Sequence, residues 1–207
     1  LDPRDENMLI QPKAYDTNTD NFIEFLRNNH DKIDGDIVEA GVYRGNSLLS
    51  IALLLKQLGS KKTVYGFDTY SGFPPIYNQK DNLREFENMF KQGLISEDHL
   101  NSFRLNHLIL FDILKIKKSA TVKEISSSGK FSETNIDLIK EKIDFLGLDN
   151  VKLVQGSFAD TMNENSEVKS IMAAVVDCDL YQSYQESLNF IWPKLSRGGF
   201  VHLDEYY

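Results

Sequence analysis

The chain predicts an α/β fold, a doubly wound and mostly parallel sheet with helices on its faces. Short β-rich apolar runs alternate with segments of helical spacing. Several of the runs are continuously apolar, as strands buried on both faces are, rather than alternating like half-solvated strands. They end in acids, Asp68 and Asp177 among them, and ligands of open parallel sheets bind beyond the carboxyl ends of the strands.

The elements follow in order. Thr19 to Asn29 places Phe22, Ile23, Phe25 and Leu26 at helical spacing and predicts a helix covering the sheet. Asp36-Ile37-Val38-Glu39-Ala40 reads as the first strand, followed by a turn from Gly41 to Gly45 and a helix from about Asn46 to Leu58. Thr63 to Asp68 is a second strand. Ser132 to Leu146 has helical periodicity with Ser132 as its N-cap. Asn150 to Gln155 is a third strand, stopped by Gly156. Ala173 to Asp179 and Gly198 to Glu205 carry the last two strands, joined by a helix from about Tyr181 to Leu195 that bears Leu188, Ile191 and Trp192.

Between Pro74 and Lys130 the alternation lapses. Phe86, Met89 and Phe90 sit at helical spacing, as do Leu105, Leu108, Ile109 and Phe111, whereas Thr121 to Lys130 is polar. Residues 1–207 thus read as a single domain with a helical insertion at 75–130, a lid over the crevice or an oligomer arm in a homo-oligomer.

Composition excludes several function classes. A formal net charge of −8 and a pI near 5.0 argue against nucleic acid, whose phosphates need clustered Lys and Arg. Cys178 is the single cysteine, so no intrachain disulfide forms and a cytoplasmic location is expected. No apolar run reaches the ~20 residues that span a bilayer, and the N-terminal residues carry no signal-peptide pattern. Neither a membrane nor a nucleic-acid partner is expected.

The acids carry the chemistry. Asp177, Asp179, Asp204 and Glu205 close the last two strands and converge on one crevice. Carboxylates crowded there repel one another and lose hydration, which calls for a cation; helix capping and surface solvation are the plainer alternative. The turn after the first strand, Glu39-Ala40-Gly41-Val42-Tyr43-Arg44-Gly45-Asn46-Ser47, opens a helix, where ligands meet backbone amides. It has neither the G-x-G-x-x-G spacing nor a P-loop Gly-Lys-Ser/Thr, which disfavours a phosphate. Glu39 would repel a pyrophosphate and attract an amino group; a helix cap beside a strand-end acid is the alternative. Asp68 is placed to accept hydrogen bonds from ribose hydroxyls. A ligand with a ribose and an ammonium but no phosphate fits both, and S-adenosylmethionine is such a ligand.

Five segments make the reading specific: Val38 to Gly45, Gly66-Phe67-Asp68-Thr69-Tyr70-Ser71-Gly72-Phe73-Pro74, Val154-Gln155-Gly156-Ser157-Phe158-Ala159-Asp160-Thr161, Asp177-Cys178-Asp179-Leu180-Tyr181 and Gly198 to Tyr206. In this order, from about Asp36 to Tyr206, they resemble the macrocin O-methyltransferase family, metal-dependent enzymes that methylate sugar hydroxyls in antibiotic biosynthesis. The resemblance implies a Rossmann-like methyltransferase fold. It implies that Glu39, Gly41, Asn46 and Ser47 contact the methionine part of S-adenosylmethionine, that Asp68 holds the ribose, and that Thr69, Tyr70, Gly156, Ser157 and Phe158 surround the adenosine. It further implies Asp177, Asp204 and Glu205 as magnesium ligands and Asp179 as the base. Many relatives carry two aspartates where this chain has Asp204-Glu205, but glutamate still supplies a hard oxygen, so magnesium, manganese or calcium remains the expected ion.

The expected reaction is an in-line attack of a small-molecule acceptor hydroxyl, on a sugar or glycosylated natural product, on the cofactor methyl group. The metal lowers the hydroxyl pKa and Asp179 takes the proton. Cys178 points to the other strand face as a packed thiol. His202 shares strand parity with Asp204 and reads as a core or supporting histidine, and Tyr181, Tyr184, Tyr206 and Tyr207 line a sugar pocket or pack at its rim. Two rivals remain. A metal-dependent glycosyltransferase would use Asp177 and Asp179 as an Asp-x-Asp pair. A non-catalytic S-adenosylmethionine-binding module is favoured by the missing antiparallel hairpin with which complete doubly wound methyltransferases continue past the fifth strand.

Overall fold

The computed structural model describes residues 17–73, 78, 80, 83–108, 131 and 134–204. The elements are α1 (Thr17–Asn29), β1 (Asp36–Ala40), α2 (Asn46–Gln57), β2 (Val64–Asp68), α3 (Leu83–Lys91), α4 (Glu97–Leu108), α5 (Ile136–Phe145), β3 (Val151–Gln155), the single turn α6 (Phe158–Thr161), β4 (Ile171–Val176), α7 (Tyr181–Ile191), a 3-10 turn (Trp192–Lys194) and β5 (Leu195–Leu203). The strands form one sheet in the order β3-β2-β1-β4-β5, parallel at every pairing. This is the doubly wound α/β fold expected from the alternation of runs. Because the order reverses between β1 and β4, their carboxyl ends flank the switch point where such sheets bind ligands.

Two layers of side chains explain the continuous apolar runs. On one face Ile37, Val64, Ala173 and Val175 pack with Phe22, Leu26, Leu48, Leu49, Leu55 and Ile139. On the other, Val38, Ala40, Phe67, Ala174 and Val176 pack with Phe158, Val168, Phe190 and Ile191. Successive residues of β1 therefore enter opposite cores. Full burial of a Leu or Phe is worth ~1.5–3 kcal/mol relative to exposure, and Phe22, Leu26, Leu48, Leu49 and Leu55 are all sealed from solvent. Helix α2 buries Leu48, Leu49, Ile51, Ala52 and Leu55, an i, i+3, i+4, i+7 stripe. It comes close to β2 because Gly66 has no Cβ, which would stand 3.0 Å from both Leu48 and Val42.

Several boundaries differ from the sequence reading. Asn135 caps α5, its side chain accepting from the N–H groups of Asp137 and Leu138 at 2.9 and 3.3 Å; Ser132, the expected cap, lies outside the described residues. Pro193 cannot donate to a helical ladder, so α7 stops at Ile191 and β5 begins at Leu195, ahead of Gly198. Strand β4 ends at Val176, so Asp177, Cys178 and Asp179 lie in the loop beyond it. Strand parity therefore does not relate Asp179 to Asp177.

The chain divides into two compact units, one of residues 1–70, 134–179 and 183–207 and one of 71–133 and 180–182. The first holds the sheet. In the second, α3 and α4 meet through the Phe86 and Phe103 rings, stacked at 3.9 Å, with Leu100 buried and an Arg104–Glu87 ion pair at 3.5 Å. Also within it, Lys80 Nζ donates to the Tyr181 hydroxyl at 3.0 Å and Asn78 Nδ2 donates to Gln182 Oε1 at 3.1 Å. Ile109, Phe111 and the polar stretch Thr121 to Lys130 lie outside the described residues.

Candidate active site

The site begins with an acid where the core pattern calls for a hydrocarbon. Glu39 sits next to Gly66 of β2 and Val175 of β4 in the sheet register, on the face that carries Ile37, and is only 1% exposed. The Ser47 hydroxyl, in the first turn of α2, donates to Oε1, whereas Oε2 is buried with no hydrogen-bond partner. Burial pushes the carboxyl up to about 8, against the lowering effect of Ser47, and the Asp177 and Asp68 charges add to the rise. A buried carboxyl oxygen without a partner is costly and is satisfied by a ligand that brings N–H groups and positive charge. Around it, α2 starts at Asn46 behind Gly45, with no side-chain cap and no acid in its first turn. The amides there remain available to an acceptor.

The loop between β1 and α2 is shaped by backbone that only some residues adopt. Gly41 has φ +90° and Gly45 φ +80°, and Tyr43 between them has φ +51°. A Cβ on Gly41 would lie 1.8 Å from the Asp177 carbonyl oxygen, so this position requires glycine. The loop is tied to the ends of two neighbouring strands, Gly41 N donating to Phe67 O at 3.0 Å and Asp177 N to Ala40 O at 2.9 Å. The Thr134 hydroxyl, just before α5, donates to Tyr43 O at 2.5 Å.

Asp68 closes β2 and meets the loop directly. Its Oδ2 accepts from Val42 N at 2.8 Å and Tyr43 N at 3.0 Å, and its Oδ1 accepts from Tyr70 N at 2.7 Å. Thr69 follows with its hydroxyl 3.5 Å from Oδ1. The Tyr70 side chain is buried in the first core layer and its hydroxyl donates to Gly66 O at 3.0 Å. Burial above all, then the charges of Asp68 and Glu39, raises the phenol far above its ordinary value, so it stays protonated. Gly156 donates from its N–H to Asp68 O at 3.0 Å, which brings the β3 end beside the β2 end. Ser157 opens α6 and donates to Asp160 Oδ2 at 2.6 Å, while Phe158 is buried in the second core layer.

The acidic group lies past β4 and β5. Asp204 N donates to Val176 O at 3.1 Å, which sets the ends of these strands side by side. Asp177 keeps an exposed surface, but partial desolvation in the crevice and then the charges of Asp204 and Asp179 push its carboxyl up to about 7. Asp179 is exposed with φ +59°, a left-handed conformation that Asp tolerates better than most residues. His202 Nε2 stands 3.9 Å from Asp204 Oδ1 and the ring lies 6.3 Å from Phe22, placing it against the core. Cys178 is buried in the second core layer.

These residues suit the two expected groups to different extents. For S-adenosylmethionine, the orphaned Glu39 oxygen matches an ammonium and the phosphate-free loop matches a nucleoside without phosphate. For a divalent ion, Asp177 and Asp204 bring hard oxygens, the Asp204 charge helping to raise the Asp177 carboxyl. Glu205 lies outside the described residues, and among the described residues no three His, Cys, Asp or Glu side chains gather as a metal set. The sequence reading missed Val42, Tyr43 and Thr134. Their contributions are backbone amides, a left-handed φ and a long-range contact, for which residue type gives no signal.

Known proteins resemble the chain in sequence and in fold. A demethyldecarbamoylnovobiocin O-methyltransferase of Streptomyces niveus is 23% identical over 175 residues, 84% of this chain and 53% of the relative. A mycinamicin III 3''-O-methyltransferase of Micromonospora griseorubida is 24% identical over 85% of this chain and 57% of the relative. The chain thus spans little more than half the length of these relatives. The solved O-methyltransferase NovP superposes with a TM-score of 0.59 at 19% identity, over 89% of this chain and 64% of that one. The calicheamicin methyltransferase CalS11 gives 0.56 at 23%, over 90% and 62%. Both share the α/β methyltransferase fold. The sequence profile described as Macrocin-O-methyltransferase (TylF) matches residues 17–118 and 115–207, which include all five strands, and the chain belongs to the macrocin O-methyltransferase family.

Proposed function

We infer that this chain is an S-adenosylmethionine-dependent O-methyltransferase assisted by a divalent cation, acting on a hydroxyl of a sugar or glycosylated natural product. The observation that carries the reading is the buried Glu39 oxygen without a donor, at the mouth of a loop whose amides are already turned onto a carboxylate. S-adenosylmethionine brings an electrophilic methyl group on a sulfonium, and the cation brings a Lewis-acidic charge that lowers the pKa of an acceptor hydroxyl.

The chain's own residues bind and align. Glu39, fixed by Ser47, takes the ammonium of the methionine part, with Gly41 and Asn46 lining its path. Asp68 would face the ribose, and Thr69, Tyr70, Gly156, Ser157 and Phe158 would form the surroundings of the adenosine. Asp177, Asp204 and Glu205 are the ligands for magnesium, manganese or calcium, hard ions suited to carboxylate oxygens. Asp179 receives the acceptor proton at its carboxylate. Alignment of the two reactants and a preorganised field supply the rate. The segment around 75–130 forms an acceptor wall or an oligomer arm.

The test is transfer of a radiolabelled methyl group to a panel of glycosylated natural products, with and without chelator. The reading predicts transfer that chelator abolishes and magnesium restores. Transfer that persists in chelator removes the metal from the mechanism. Binding of a nucleoside-diphosphate sugar without binding of S-adenosylhomocysteine turns the assignment toward a glycosyltransferase.

A further inference from the structure

Asp68 has more backbone partners than a ribose-binding acid needs. Two consecutive amides, Val42 and Tyr43, donate to its Oδ2 at 2.8 and 3.0 Å, and a third, Tyr70, donates to its Oδ1 at 2.7 Å. The loop supplying the first two runs through positive φ at Gly41, Tyr43 and Gly45. Successive N–H groups turned to one point in this way form a nest, the concavity that binds phosphate in other α/β proteins. Here the nest is filled from within. A carboxylate has about four lone-pair sites; three are taken by amides and the Thr69 hydroxyl stands 3.5 Å from Oδ1, so Asp68 has room for at most one ligand hydroxyl rather than the two of a ribose.

We propose that Asp68 is the internal anion of the β1–α2 loop: its carboxylate fills an amide nest that would otherwise take a phosphate, and so it positions the loop and selects a phosphate-free ligand. The same contacts account for the left-handed backbone of two non-glycine residues. Tyr43 and Tyr70 each have φ +51°, a conformation that side chains with a Cβ adopt only when something holds them there, and each N–H is bound by Asp68. Selectivity then comes from charge placed in advance. A pyrophosphate entering the loop meets the Asp68 carboxylate instead of free amides, with Glu39 beyond it, whereas a ligand with a hydroxyl and an ammonium meets acceptors.

This proposal deepens the cofactor assignment above and rests on it for the identity of the selected ligand, but its test does not need turnover. Amide hydrogen exchange of Val42, Tyr43 and Tyr70 is measured by NMR in the ligand-free chain, in Asp68→Ala and in Asp68→Asn, with and without inorganic phosphate. Asp68→Ala is expected to speed these amides about 10- to 100-fold, the scale of losing a hydrogen bond to a charged group. Phosphate is expected to slow them again in Asp68→Ala and to leave the wild type unchanged. Asp68→Asn, which keeps one acceptor oxygen but turns an NH₂ toward the donors, should fall between the two and serves alone if the alanine variant does not fold. Unchanged exchange in the folded variants, or phosphate acting equally on wild type and variants, overturns the proposal. S-adenosylhomocysteine is titrated into the wild type in parallel. Failure to bind rejects the cofactor reading and leaves the tie between Asp68 and the amides to be judged by exchange alone.

Discussion

Glu39 stands in a position that its strand neighbours fill with hydrocarbon, and the cost of keeping a carboxyl there shows in its pKa. It is raised from 4.5 to about 8, chiefly by burial. A group that holds its proton more tightly in the fold than in the unfolded chain adds stability that is complete below pH 4.5 and lost as pH rises through 8. The ligand-free protein is therefore expected to lose thermal stability across that window, with Asp177, raised to about 7, adding to the slope. Glu39→Gln removes the Glu39 part, so melting curves of the variant should fall less steeply from pH 5 to 8. The same variant should bind S-adenosylhomocysteine about 10- to 100-fold more weakly by calorimetry, the loss of a charge-assisted hydrogen bond. Asp179 gives the second prediction at this scale. Asn tolerates the left-handed backbone as Asp does, so Asp179→Asn keeps the loop and removes the proton acceptor. Turnover should drop ~10²–10⁴-fold with cofactor affinity unchanged; near-normal turnover shifts the base assignment to His202. Glu39, Asp68 and Asp177 were legible in the sequence because strand-end acids in apolar runs are conspicuous. The three amides on Asp68 were not, since backbone donors carry no residue signature.

At the scale of elements, the joint between β1 and α2 is the least tolerant part of the fold. Gly41 approaches the Asp177 carbonyl so closely that a Cβ would overlap it, and its φ of +90° is strained for any other residue. Gly41→Ala is expected to cost at least ~1–3 kcal/mol, the scale of a forced left-handed backbone, with more from pushing the β1 and β4 ends apart. A lowered denaturation midpoint together with weakened S-adenosylhomocysteine binding is the expected result. An unchanged midpoint would show that the two strand ends separate freely. β1 matched its sequence run because Gly35 and Gly41 bound it, and β2 and β3 matched theirs to within one residue. The start of β5 was misplaced because Gly198 and Gly199 look like a strand boundary. Both lie inside the strand, and the stop signal for the preceding helix was Pro193. The cap of α5 was misplaced for a similar reason, since Ser, Thr and Asn all stand ahead of the helix and only geometry selects Asn135.

At the scale of the whole molecule, the doubly wound sheet sets the ends of β1, β2 and β4 around one switch point, and the 71–133 segment forms a unit with its own aromatic contacts. Removing residues 75–130 is expected to leave S-adenosylhomocysteine affinity within about threefold, a change of under 1 kcal/mol, and to abolish methylation of the acceptor. Equal turnover by the folded deletion variant contradicts an acceptor wall, and a change of oligomeric state on deletion identifies an arm. Among the described residues no helix is long and apolar enough to cross a membrane. That the crevice takes an ammonium-bearing, phosphate-free nucleoside can be checked by calorimetric titration of the wild-type chain with S-adenosylhomocysteine and with a nucleoside-diphosphate sugar at the same ionic strength. Saturable binding of the first and none of the second is expected. Binding of the diphosphate sugar alone would contradict it.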